Sequence, residues 1–62
     1  MNFYKKDQRV KVAPGWDRAG REGVVLAPSV WLQQEWVPVL WDDEEDPYWI
    51  KAAAILVIQG AV

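Results

Sequence analysis

This chain has to fold without a cross-link, because its 62 residues include neither cysteine nor histidine. Disulfide bonds and cysteine- or histidine-ligated metal sites, which stabilise many domains of this size, are therefore excluded. Mechanisms that need an imidazole base or a thiolate nucleophile are excluded as well. The chain must be stabilised by the packing of one small core, and its five tryptophans offer large apolar side chains for that packing.

Short apolar or alternating segments, separated by glycine, proline and acidic turns, predict an all-β fold of five strands. The strands are predicted at residues 8–12, 23–27, 35–41, 48–51 and 55–58, with a connecting loop at 28–34. Residues 52–54 are three alanines, too few for a stable helix, and they predict one 3-10 turn before the last strand. Because Pro38 has no N–H to donate, the third strand is predicted to be an edge strand or to carry a bulge.

The predicted domain is a single one over residues 1–62, with frayed tails at 1–6 and 60–62. The strand pattern predicts a core made of eight aliphatic side chains: Val10, Val12, Val24, Leu26, Val37, Val39, Ile55 and Val57. This predicted core contains no tryptophan. Trp31, Trp36, Trp41 and Trp49 are predicted to form an exposed aromatic surface.

The order of these elements, over about residues 3–58, resembles a five-stranded SH3-like barrel. The stretch from Val10 to Val25, with Gly15 and Gly20 in its loop, resembles the KOW motif of ribosomal and transcription proteins, although its glycine gap is one residue longer. The layout also resembles the type II dihydrofolate reductases, which are tetramers. Their substrate-binding segment Val-Gln-Ile-Tyr is replaced here by residues 47–50, Pro-Tyr-Trp-Ile, so this resemblance implies the fold without the activity.

The segment 39–49 is similar to the strand, hairpin and strand of Tudor-like barrels, in which aromatic side chains form a cage for methylated lysine or arginine. The resemblance implies that Trp41, Tyr48 and Trp49 are walls and that Asp43 or Glu45 neutralises the cation. Aromatic faces attract cations, and nearby carboxylates strengthen that attraction. The preferred hypothesis is a non-catalytic module that binds a partner protein or a cationic peptide through these residues: Trp41, Asp42, Asp43, Glu45, Tyr48 and Trp49.

The charges are divided unevenly along the chain. Residues 1–21 carry six basic and two acidic side chains, whereas residues 22–62 carry one basic and seven acidic ones. The simplest interpretation is that opposite charges pair within the folded domain. The alternative is a KOW-like nucleic-acid-binding module, using Lys5, Lys6, Arg9, Lys11, Trp16, Arg18 and Arg21, which the sequence pI of 4.8 disfavours.

Other functions have weaker support in the sequence. The acidic run 42–46 lacks the ligand spacing of a calcium loop, so no metal or cofactor is predicted, and no carboxylate pair points to an enzyme. No apolar run is long enough for a membrane span, and the start of the chain has no apolar signal region, so a cytoplasmic location is predicted. A second alternative is a small homo-oligomeric protein of a mobile element with an unknown ligand, self-associating through the face of Trp36 and Leu40.

Overall fold

The computed structural model describes residues 4–60, which form strands, turns and loops apart from one 3-10 turn. The strands are β1 Arg9–Val12, β2 Glu22–Val25, β3 Val30–Leu32, β4 Gln34–Trp41, β5 Tyr48–Lys51 and β6 Ile55–Gln59. The 3-10 turn Ala52–Ala54 joins β5 to β6. The predicted all-β class and the turn before the last strand are confirmed. The number of strands is six rather than five.

The six strands form one antiparallel sheet in which β4 is the central element. One edge of β4 pairs first with β3 and then with β2, which pairs with β1, which in turn pairs with β6. The other edge of β4 pairs with β5, since Val39 has both Val25 and Tyr48 as Cα partners. Within residues 4–60, β3, β5 and β6 each pair with a single neighbour and are therefore edge strands.

Of the two alternatives predicted for the strand that contains Pro38, an edge position or a bulge, the edge position is wrong, because β4 is paired along both of its sides. Pro38 pairs with Trp49 on one side, and on the other its carbonyl accepts a hydrogen bond of 2.9 Å from the Leu26 N–H. On that second side, residues 26–29 leave the sheet between β2 and β3. A missing N–H there breaks no ladder hydrogen bond, so an interior strand tolerates this proline.

The core is built from the inward-facing residues of β1, β2, β4 and β6: Val10, Val12, Val25, Val37, Val39, Trp41 and Ile55. Five of the eight predicted core residues are among them. Val24, Leu26 and Val57 are not, since Val24 is half-buried and the other two are exposed. Apolar residues occupy both faces of β2, so its alternation does not reveal which face turns inward.

Gly23 explains how a tryptophan fits into so small a core. The residue lies opposite Trp41 in the β2–β4 ladder, and a Cβ atom placed on it would lie 2.9 Å from the Trp41 ring and 2.6 Å from the Leu40 carbonyl oxygen. Because glycine has no Cβ, the ring can pack against the β2 backbone. Trp41 is consequently buried, with 3% of its surface exposed.

The sixth strand, β3, lies where a connecting loop was predicted. It turns back into β4 through Gln33 alone, whose φ of 67° is in the left-handed region that favours glycine. A hairpin this tight usually carries glycine or asparagine, so the sequence has no turn signal here. The preceding bend is anchored by Ser29, whose hydroxyl donates to the buried Glu35 carboxylate and whose N–H donates to the Tyr4 carbonyl.

The predicted tails fall partly on described residues. Residues 1–3 and 61–62 lie outside the part of the chain that the structure describes, while Tyr4 is held firmly. Its hydroxyl donates to the carbonyls of Ala52 at 3.4 Å and Ile55 at 3.2 Å, and its ring packs against the core. Tyr4 therefore belongs to the folded domain and not to a frayed tail. Burial, followed by the nearby negative charge of Glu35, raises the pKa of the Tyr4 hydroxyl.

Candidate binding surface

The fold does not bring the predicted aromatic and acidic residues together on one surface. Trp41 is the first of them to be excluded. Trp41 faces the core, and the Arg21 guanidinium covers its ring at 5.2 Å from the ring centroid. A cation of the protein itself therefore occupies the position that a bound cation would take in a cage. The structure does not bring Trp41 to the surface, so it cannot serve as an exposed wall.

The acidic turn between β4 and β5 is tied to the basic half of the chain. Asp42 accepts two hydrogen bonds from the Arg9 guanidinium, at 2.9 and 2.7 Å. Arg21 donates to Asp43 at 3.0 and 3.1 Å and to Glu44 at 2.8 Å. The interpretation that opposite charges pair within the domain is thus confirmed for these residues. Of the predicted acidic site residues, only Glu45 makes no ion pair with a described residue.

The Arg9–Asp42 pair shifts the pKa values of both side chains. Hydrogen bonds from Arg9 hold the pKa of the Asp42 carboxyl below its ordinary value of 3.8, and the same contacts raise the pKa of Arg9. Since the folded-state pKa of Asp42 lies below its unfolded value, the pair stabilises the fold above that ordinary value. The contribution disappears as the pH falls through the folded-state pKa.

An Asp42→Asn variant tests this pair. We expect its melting temperature to lie below that of the wild type at pH 7, and the difference to close as the pH is lowered below 3.8. Thermal unfolding followed by circular dichroism between pH 2 and 7 measures the effect. Asp46→Asn is the control, since Asp46 is exposed and makes no ion pair with a described residue. Equal melting temperatures for the two variants at pH 7 contradict the prediction.

The other two predicted aromatic residues, Tyr48 and Trp49, are exposed on opposite faces of β5. Tyr48 pairs with the buried Val39, so it projects from the core side of the sheet, whereas Trp49 pairs with Pro38 on the outer side. Their exposed fractions are 49% and 58%. Because consecutive strand residues alternate in direction, Tyr48 and Trp49 cannot wall the same cage.

The outer face of the sheet holds an apolar groove that the sequence does not reveal. It has a volume of about 400 Å³ and is lined by Val30, Leu32, Trp36 and Trp49. These residues come from three neighbouring strands, since Trp36 on β4 pairs with Val30 on β3 and with Lys51 on β5. The Trp36 indole N–H donates to the Leu32 carbonyl at 3.2 Å, which fixes the ring at the floor of the β3–β4 hairpin. We call this the indole groove.

A second depression continues from the indole groove toward the early loop. It has a volume of about 320 Å³ and shares Trp36 and Trp49 with the first. Its other lining residues come from the end of β1, from the loop after β1, which supplies Trp16 and Asp17, from β5 and from the 3-10 turn. Its charged ones are Asp17 and Lys51. The two depressions together form an extended surface with Trp36 and Trp49 at its centre, and the second depression adds Trp16 and one charge of each sign, Asp17 and Lys51.

Sequence reasoning identified Trp36 and Trp49 as exposed aromatic candidates but missed Val30 and Leu32. Both residues lie in the segment 28–34 that was predicted as a loop. The available signal is the apolar run Val30–Leu32, and it is only three residues long. Because that signal is so short and lacks a glycine turn, the β3 side of the indole groove is visible only in the structure.

The residues predicted for nucleic-acid binding fall into two groups, those that form ion pairs within the domain and those that do not. Arg9 and Arg21 are engaged with the acidic side chains described above. Trp16 is 43% exposed in the loop after β1, and Arg18 lies two residues further on in the same loop. The remaining members of the set make no ion pair with a residue between 4 and 60: Lys5, Lys6, Lys11 and Arg18.

The chain was compared with protein-family models, curated proteins and solved structures. No protein-family model, no curated protein and no solved structure matches it. Residues 4–60 contain no helix that is long and apolar enough to cross a membrane. In that same part of the chain, no three acidic side chains are grouped so that they could hold a metal ion.

Proposed function

We propose that this chain is a non-catalytic binding module, and that its ligand is a short segment of a partner protein held in the indole groove. The supporting observation is the groove itself, with Val30, Leu32, Trp36 and Trp49 gathered on one outer face of the sheet. Soluble domains seldom leave two indole rings and two aliphatic side chains together in a concave surface unless something covers them. Tryptophan is also the residue most enriched at binding hot spots.

The geometry favours a ligand that combines an apolar side chain with a basic one. A volume of about 400 Å³ with apolar walls accepts a leucine- or methionine-sized side chain. The adjoining depression offers the faces of aromatic rings and the Asp17 carboxylate, which together favour a cation. Lys51 lines the same depression and opposes that preference. The proposed ligand is therefore a cationic peptide segment. Its basic side chain is bound by Asp17 and not, as the sequence had suggested, by the acidic turn between β4 and β5.

The fold proposal that accompanies this function is an SH3-like barrel. It is supported by the antiparallel order β4-β2-β1-β6, with β5 beside β4, and by the 3-10 turn between β5 and β6. In such an arrangement the loop after β1 and the 3-10 turn flank the same depression, as Asp17 and Ala54 do here. A cytoplasmic location is part of the proposal, as is the absence of a catalytic role.

A Trp49→Ala variant tests the groove directly. We expect it to weaken peptide binding at least tenfold, because truncating a central aromatic anchor typically costs about 2 kcal/mol or more. Its fold should persist, since 58% of Trp49 is exposed. The measurement is a titration of the tryptophan indole N–H signals by NMR, using acetylated hexapeptides that carry leucine and arginine.

Matched variants separate the groove from the rest of the surface. Tyr48→Ala removes an aromatic ring of similar exposure from the opposite face of β5 and should leave binding unchanged. Asp17→Asn should weaken binding of the arginine peptide but not of the same peptide with norleucine in place of arginine. The proposal is contradicted if the indole signals of Trp36 and Trp49 do not move with any of these peptides.

A second candidate function is single-stranded nucleic-acid binding at the loop after β1. The observation that favours it is an exposed indole, Trp16, with Arg18 in the same loop. A base can stack on the ring while the guanidinium meets a phosphate. In the same NMR experiment, an oligonucleotide that shifts Trp16 alone, with an affinity that falls steeply with salt, indicates this function.

A further inference from the structure

The exposed apolar side chains of this protein are concentrated on the edges of its sheet. Of the ten large apolar residues exposed within residues 4–60, eight lie on the edge strands β3, β5 and β6. Those of β3 and β5 include the walls of the indole groove. The three on β6 take part in neither depression: Leu56, Val57 and Ile58, exposed by 46%, 45% and 42%.

Apart from one bulge, β6 has none of the features by which edge strands usually avoid pairing. It is the longest of the three edge strands, and its residues Ile55–Gln59 include no charge and no proline. Native edges are normally protected by lysine, by proline or by a covering segment, because an open row of N–H and C=O groups pairs readily with another strand. A bulge at Ile58 interrupts the ladder with β1, but it lies beyond the middle of the strand.

Hydrogen bonding shows which peptide groups of β6 face the open side. The Ile55 N–H donates to the Ala52 carbonyl, and the Ile55 carbonyl accepts from the Tyr4 hydroxyl, so neither points toward β1. Peptide groups alternate in direction along a strand, so the next residue to share this orientation is Val57. The N–H and C=O of Val57 therefore face away from β1, on the edge where no described strand pairs.

We propose that β6 pairs antiparallel with β6 of a second copy of this chain, across a two-fold axis at Val57. In that register each Val57 donates its N–H to the carbonyl of the other Val57, which satisfies both outward-facing groups. Leu56 of one copy lies opposite Ile58 of the other, so apolar side chains meet apolar side chains along the strand. The result is an isologous interface, in which the same surface serves both copies.

A second copy fits this edge better than an unrelated strand. The segment Leu56–Ile58 is uncharged, so two copies meet without repulsion, and its pairing with itself places side chains of similar size and character opposite one another. A strand from a different protein gains no such match from the sequence of β6. Because a single pair of five-residue strands is smaller than a standard interface, the dimer is expected to be concentration-dependent.

The test is sedimentation equilibrium over a range of concentrations, with two variants that introduce the same charge. We expect the wild-type mass to rise from that of one 7.1 kDa chain to twice that value as concentration increases. Ile58→Glu should remain monomeric, because it places one carboxylate opposite Leu56 of each partner. Leu26→Glu, which charges an exposed apolar residue away from β6, should dimerise like the wild type.

Amide hydrogen exchange supplies a readout specific to the register. Exchange at the Val57 N–H should slow as the wild-type concentration rises and should not slow in Ile58→Glu, while circular dichroism confirms that both variants are folded. The proposal is overturned by a single-chain mass at millimolar concentration or by a dimer that survives Ile58→Glu. It is also overturned if Trp49→Ala abolishes the dimer, because the interface then lies at the indole groove.

Discussion

Replacing Trp41 with alanine is expected to destabilise the protein severely. Only 3% of Trp41 is exposed, and its side chain is the largest in the core cluster. Truncating a buried tryptophan or phenylalanine to alanine typically costs about 3–5 kcal/mol. A domain of this length has a total free energy of unfolding of roughly 3–9 kcal/mol, so the loss removes a third or more of its stability. Urea denaturation followed by circular dichroism measures it.

The control for this substitution is the same change at the exposed position Trp49. Trp49→Ala removes an indole that is 58% exposed, and its urea midpoint should stay close to that of the wild type. The pair of variants therefore separates a core tryptophan from a surface one in a single assay. Equal destabilisation by the two variants would mean that Trp41 is no more buried than Trp49.

The second large effect is expected from adding one methyl group at Gly23. A Cβ atom at this position would lie 2.6 Å from the Leu40 carbonyl oxygen, 2.8 Å from Val39 Cγ1 and 2.9 Å from the Trp41 ring. One of these atoms belongs to the backbone of the central strand, so the clash cannot be relieved by rotating a side chain. Gly23→Ala should destabilise the protein by about 1–3 kcal/mol or more, as overpacking does in other cores.

Gly60→Ala is the matched control, because no described residue other than its chain neighbour has an atom within 4 Å of a Cβ built on Gly60. Thermal unfolding of the two variants should show a large drop in melting temperature for Gly23→Ala and almost none for Gly60→Ala. If Gly23→Ala melts at the wild-type temperature, then β2 does not approach β4 as closely as the structure shows, and the packing of Trp41 has to be reconsidered.

Much of the fold could be predicted from local pattern. The alternation around Val10 and Val12 identified β1 and its buried face, and Val37 and Val39 did the same for the middle of β4. Three alanines before a final apolar strand indicated the 3-10 turn. These predictions succeeded because each depends on residues that are neighbours in the sequence, where the period of two and the shortness of the segment decide the outcome.

The predictions failed where two faces of a strand carry similar residues. For the second strand the sequence offered Val24 and Leu26 for the core, whereas Val25 is buried and Leu26 lies beyond the end of β2. A shift of one residue reverses every side chain of a strand, and the apolar character of both faces of β2 left that shift undetermined. The failure at Val57 has another cause: this residue shares the face of the buried Ile55, as predicted, but it lies on an edge strand and remains exposed.

The candidate site shows the same limit more strongly. The sequence gives no means of distinguishing Trp41 from Trp49. In the structure, however, Trp41 is covered by Arg21, whereas Trp49 lines the indole groove. The carboxylates of the acidic turn looked available for a ligand, but Asp42 and Asp43 are bound by arginines that precede them by more than twenty residues. Contacts over such separations depend on how the strands are ordered in the sheet.

The sequence by itself determined that this is a small all-β domain without disulfides or histidine chemistry, with a 3-10 turn before its last strand and with tryptophans in excess of its aliphatic core. Only the tertiary structure decided which tryptophans are exposed, which charges are neutralised and which strand edges remain open. The physical reason is that secondary structure follows from interactions between close neighbours, whereas exposure follows from the register of distant strands. In this chain that register is set by the close approach of Gly23 to Trp41 and by the turn at Gln33.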